Sequence, residues 1–244
     1  MPGSYLPFEP SSIRWKKIIV KWSILMNLVR RHFAIILVAL ICATPSSSSA
    51  HHVMGGLTPS SLMQGLLSGL AHPIIGVDHF AFIVGIGIIA AIFQLGRFMP
   101  AAFVISMSIG ILAHLALLNL PAAEGLVALS VLLIGIAIWN AKYFQRSWAT
   151  GLAFAFAGTV HGYALAESIV GAEATPLIAY CFGLIAVQSG VSIAAYEMVH
   201  RAIARDATQR PRIATVLGIL ITCVGLYAVG DVVGWMPSWS VRHA

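Results

Sequence analysis

A chain of 244 residues, 59% hydrophobic and 9% charged, carries far less charge than the roughly 25% of an ordinary soluble domain. At about 20 apolar residues per span, that length holds six or seven membrane helices and leaves no room for a separate soluble catalytic domain. Of the formal net charge of +6, five units sit at the front, where Arg14, Lys16, Lys17, Lys21, Arg30 and Arg31 face only Glu9. Eight basic and seven acidic residues follow position 50, so the basic balance implies no nucleic-acid partner.

The segment from Arg30 to Ala50 has the order and size of a secretory signal peptide: Arg30-Arg31-His32, an apolar run from Phe33 to Ala43, then a Pro-Ser stretch ending Ser48-Ser49-Ala50. The apolar run, about 11 residues, is too short to cross a bilayer core. Cleavage after Ala50 would free His51; the alternative is an uncleaved anchor. Met26 alone would start a compact signal, so residues 1–25 read as an upstream extension. The expected organisation is residues 1–50 as extension and signal and residues 51–244 as a polytopic membrane domain.

Apolar segments follow at about 60–95, 99–120, 124–142, 149–169, 174–200 and 212–234. The first is too long for one helix and contains Pro73 and Gly76. Proline disfavours helical geometry in the residue before it, so one helix is expected to end near His72 and another to begin near Asp78. The fold class is therefore all-α integral membrane, a six-span helix bundle with a broken first span after a cleaved signal peptide. Gly65 with Gly69, Gly158 with Gly162, and Gly230 with Gly234 are spaced for close helix packing. Cys181 and Cys223 stand alone in apolar runs and read as inert buried thiols.

A cleaved signal leaves the mature N-terminus outside, and the loops then alternate. Arg97, Lys142, Arg146, Arg201, Arg205, Arg210 and Arg212 all fall in inside loops, whereas the outside loops hold Glu124 and Glu173. The expected location is the bacterial cytoplasmic membrane. Arg242 is the exception, in an outside C-terminus.

Ionisable groups in hydrocarbon cost roughly 2.5–3.5 kcal/mol each, so those present need partners or a function. The densest cluster is His72, Asp78 and His79. Imidazole nitrogen and carboxylate oxygen suit borderline divalent ions. On an unbroken helix His72 and His79 would lie about 10 Å apart along the axis, too far for one ion with bonds of about 2 Å. The break at Pro73 and Gly76 must fold His72 back toward Asp78-His79 for the three to form a site. The competing reading is that Asp78 caps the second helix and the histidines bond backbone carbonyls.

A second cluster is His161 and Glu167. Six residues apart, they face different sides of a regular helix, so either Gly162 distorts the turn or Glu167 waits near the outer mouth while His161 faces the interior. His114 is weaker, since a lone histidine on an apolar helix is more often a partnered core residue. Glu197 with His200 reads as an interfacial pair near the inner end, and Asp231 as solvated at the outer boundary. His51 and His52 would offer two imidazoles and a free amine outside, a candidate antenna for metal.

These residues resemble the HupE/UreJ family of hydrogenase and urease accessory membrane proteins, over about residues 51–234. The likeness rests on His72, Asp78 and His79 as a His-x5-Asp-His motif, and on His161, Gly162 and Ala164 followed by Glu167. This chain has Val160 where several members carry Phe, and Phe80-Ala81-Phe82 where some have Met. The resemblance implies a permease for nickel or cobalt. The metal is then cargo, with no prosthetic group; the expected partners are that ion, the bilayer and a metallochaperone taking the ion on the inner side. No G-x-x-x-x-G-K-[ST] sequence is present, and a divalent cation entering a negative interior gains roughly 4.6 kcal/mol per 100 mV without nucleotide hydrolysis. Two other readings are open: an intramembrane zinc-dependent hydrolase with Asp78 or Glu167 activating water, and haem ligation by His114 and His161.

Overall fold

Hydrophobic runs interrupted by glycine and proline become packed helices in the computed structural model, which describes residues 57–141 and 147–235. The expected signal peptide, His51, His52, Lys142, Arg146 and Arg242 lie outside these residues. In chain order the helices are α1 (Leu62–Ile75), α2 (Val77–Ile92), α3 (Ala101–Leu115), α4 (Ala123–Trp139), α5 (Ser147–Leu165), a 3-10 turn (Ala166–Ile169), α6 (Ala174–Arg205) and α7 (Arg210–Val232). No strand occurs among the described residues.

Helix α1 starts on a reciprocal cap: the Gln64 N–H donates to Ser61 Oγ, and the Ser60 N–H donates to Gln64 Oε1. It runs through Pro73 to Ile75, three residues past the expected stop at His72. Proline removes one N–H but leaves the last turn otherwise closed, and the Gly76 N–H still reaches the His72 carbonyl at 3.0 Å. The break falls at Gly76, whose ψ of 99° is extended, and α2 leaves at 79° to α1. Gly76 is itself the N-cap of α2, so Asp78 lies inside the first turn and does not cap it.

Helix directions can be read from close contacts at small residues. A Cβ on Gly65 would strike Pro176, and one on Gly69 would strike Tyr180, so α1 and α6 run parallel; Gly87 of α2 meets Ser192 and Ala195 further along α6. At 32 residues, about 48 Å, α6 flanks the whole broken pair. Gly158 and Gly162 of α5 meet Phe103 and Met107, so α3 and α5 are parallel, whereas Gly218 and Gly225 of α7 meet Trp139 and Leu132, so α4 and α7 are antiparallel. Gly234 is not a packing residue: it lies beyond α7 at φ 74° with open space around it.

These directions gather Arg97, Arg201, Arg205, Arg210 and Arg212 at one end of the bundle. The Arg210 guanidinium donates to the Ile92 carbonyl at the C-terminus of α2, a favourable place for a cation. Glu124, Glu167, Glu173 and Asp231 belong to the opposite helix ends.

Exposure runs opposite to a soluble fold. Ile105, Ile109, Phe156, Ile178, Phe182 and Leu220 point outward, while His72, His79, His161, Gln188 and Ser192 are buried. A broad apolar exterior, with a few polar side chains gathered inside an apolar core, marks a membrane protein. Helix α6 and the Ala207–Val232 segment are each long and apolar enough to cross a bilayer, and α1 with α2 passes the same test as a bent pair; α3 and α4 are apolar but shorter. Cys223 is exposed on this surface and Cys181 is half-buried, which corrects the expectation of two buried thiols.

Candidate metal centre

The break brings His72 back. Its ring centroid lies 6.2 Å from that of His79, inside the roughly 10 Å axial separation of an unbroken helix. His79 in turn lies 5.0 Å from His161 of α5. Phe82 and Phe103 wall the far side of His161, at 4.4 and 5.5 Å between centroids. Four sequence candidates, His72, Asp78, His79 and His161, thus meet where α1, α2 and α5 come together.

Each histidine has one ring nitrogen held by a neighbour. Asp78 Oδ1 accepts from the His79 backbone N–H at 2.7 Å and lies 3.0 Å from His79 Nδ1. A carboxylate can only accept, so Nδ1 donates to it and Nε2 is the nitrogen turned away from Asp78. Ser130 Oγ donates to the Val127 carbonyl at 2.7 Å and sits 2.8 Å from His161 Nε2. That contact holds Nε2 of His161 and leaves Nδ1 as its unpartnered nitrogen. His72 Nδ1 faces Ser168 Oγ and Tyr180 Oη, both at 3.1 Å. Ser168 Oγ also reaches the Leu165 carbonyl at the end of α5 and Tyr180 Oη, and Tyr180 Oη donates to the same carbonyl, so His72 Nδ1 sits in one network with both hydroxyls.

His79 Nε2 and His161 Nδ1 are buried and have no hydrogen-bond partner, each at a cost of about 1–3 kcal/mol. Imidazoles with one nitrogen held by a carboxylate or hydroxyl and the other left basic are poised as metal ligands. Among the described residues no group of three or more His, Cys, Asp or Glu side chains stands in ligating geometry. The rings pack edge to face or stacked, and Asp78 is engaged with His79, so the carboxylate acts through that ring.

The remaining candidates separate. Helix α5 passes through Gly162 undistorted to Leu165, then tightens into the 3-10 turn. Glu167 is half-buried in that turn, and its neighbour Ser168 is the residue that touches His72. His114 bonds the Tyr163 carbonyl through Nδ1 at 2.8 Å and packs on the Tyr163 ring, a partnered helix-end residue whose contacts differ from those of His161. Glu197 pairs with Arg201 at 3.2 Å, while His200 stacks on Tyr196; the expected Glu197–His200 pair is replaced by the i,i+4 one. Asp231 is exposed.

Sequence reasoning missed Ser130, Ser168 and Tyr180, which orient the rings. Hydroxyls in apolar helices usually bond their own backbone, so nothing in the sequence marked these three.

The HupE / UreJ protein family model matches residues 38–228. Protein HupE of Rhizobium leguminosarum bv. viciae is 33% identical over 108 residues, which cover 41% of this chain and 56% of that protein. The match thus spans about half the length of this curated relative. No solved structure matches the chain.

Proposed function

Since the chain belongs to the HupE/UreJ family, we propose that it carries a divalent transition metal, nickel or cobalt, into the cell across the bacterial cytoplasmic membrane, by facilitated or secondary transport that supplies metalloenzyme maturation. The observation that carries this reading is the buried trio of imidazoles at a broken helix, two of them with an unpartnered basic nitrogen. Six spans, α1 with α2, α3, α4, α5, α6 and α7, alternate in direction, with the arginine end inside. The hydrated ion is captured near Glu167, at the end where Glu124 also stands. It then exchanges water for His72, His79 and His161, with Asp78 supplying the compensating charge through His79, and leaves inward toward a metallochaperone.

Broken helices in membranes serve such sites by exposing polar groups where a continuous helix would present only side chains. A zinc-dependent hydrolase would need a carboxylate beside the metal-bound water, and Asp78 is already bonded to the ring and backbone of His79. The protein is accordingly read as a transporter and not an enzyme. The test is uptake of radioactive nickel or cobalt into proteoliposomes, with an inside-negative potential imposed and magnesium as competitor. Saturable uptake that rises with the potential and resists magnesium is expected; folded protein that passes neither ion would reject the proposal.

A further inference from the structure

Three buried side-chain polar atoms lack a hydrogen-bond partner among the described residues: His79 Nε2, His161 Nδ1 and Gln188 Oε1. The first two belong to the histidine cluster, and the third lies elsewhere. Gln188 is fully buried on a row of α6 that recurs every fourth residue: Pro176, Tyr180, Leu184, Gln188, Ser192 and Tyr196, all buried. Such a row forms one ridge along the helix. Tyr180 on this ridge touches His72, and Gln188 lies two turns, roughly 12 Å, nearer the arginine end.

Gln188 has a second donor atom beside it. Its amide Nε2 sits 2.8 Å from Met107 Sδ, and the Met107 backbone packs on Gly162, next to His161. A half-turn of the amide exchanges its amino and carbonyl ends within nearly the same volume, so a cation arriving beside the sulfur would meet a carbonyl oxygen.

We propose that Gln188 Oε1 and Met107 Sδ form a second, weaker ion station, which takes the divalent metal from the histidines on its way inward. This rests on the permease reading above. Both donors are neutral. Without an anion they hold a divalent ion less tightly than histidines backed by Asp78, and conduction needs a site weak enough to leave. The thioether is a soft donor that favours nickel or cobalt over magnesium or calcium, so the station also discriminates. A glutamine placed only for structure would have its carbonyl bonded, and an apolar isostere would replace it at little cost.

The experiment uses the full chain and nickel ion alone as probe, with equilibrium binding in detergent and flux into vesicles as separate readouts. Gln188→Leu is expected to bind nickel within about twofold of wild type while flux falls roughly tenfold or more, because the loading site is intact and the exit step is not. Gln188→Glu is expected to bind roughly tenfold tighter and also lose flux, since the added charge traps the ion. Met107→Leu is expected to let magnesium compete better. Gln188→Leu flux within about twofold of wild type at matched abundance overturns the station; if that variant does not fold, Gln188→Glu with unchanged binding and flux overturns it instead. Wild-type protein without nickel flux overturns the permease reading and the station together, whereas wild-type flux indifferent to Gln188 overturns the station alone.

Discussion

Replacing Asp78 with Asn removes a charge and almost nothing else. The asparagine carbonyl can still accept from the His79 N–H and from Nδ1, the two bonds now made at 2.7 and 3.0 Å. The structural loss is then limited to a first-turn anion at the α2 N-terminus, worth about 0.3–1 kcal/mol. The functional loss is larger. From the 3.0 Å contact, the width of the ring and a bond of about 2 Å, an ion on His79 Nε2 lies roughly 6–7 Å from the carboxylate. For a divalent ion that is worth about 5 kcal/mol at an effective dielectric near 20, more than about a thousandfold in affinity. Partners one step removed from a metal typically cost about 10–100-fold when lost, so a drop of at least about tenfold is the conservative expectation. The assay is nickel uptake into proteoliposomes at matched abundance, with a thermal melt of the same preparation as control. Flux within about twofold of wild type would refute the reasoning and leave Asp78 a structural residue.

The same frame makes other outcomes specific. Tyr180→Phe and Ser168→Ala each remove one hydroxyl from His72 Nδ1, and either alone should reduce uptake less than the pair, because each still leaves the other to hold the ring; equal and full loss from either would make them ligands. Cysteines engineered near Glu124 and Glu173 should react with an impermeant reagent from outside, while those near Arg97 and Arg205 should stay protected until the membrane is opened; the reverse pattern sinks the orientation. If His51 and His52 form an antenna, replacing both with Ala weakens uptake at trace metal only, and equal loss at all concentrations would place them in the centre itself.

Much of this arrangement was legible because the physics of membrane insertion leaves few reasons for charge. His72, Asp78, His79 and His161 stood out as ionisable groups in apolar runs, and the six apolar segments fall close to the helices observed. Proline and glycine located the break, but only to within a few residues. Pro73 tolerates the last helical turn, and it is Gly76 that turns the chain. What sequence could not supply was direction in space. Whether Asp78 is ligand, cap or partner to His79 depends on a rotamer and on where α5 places His161. Ser130 matters because the middle of α4 meets His161, and Ser168 and Tyr180 because the turn after α5 and the start of α6 meet His72; no spacing along the chain reports those meetings.

The central claim, that the imidazoles at the broken helix hold the transported ion, is tested most directly by X-ray absorption on nickel-loaded protein. The account predicts imidazole scattering with nitrogen neighbours at about 2 Å, reduced in His79→Ala and in His161→Ala alike. A shell of oxygen neighbours alone, unchanged in both variants, would contradict it.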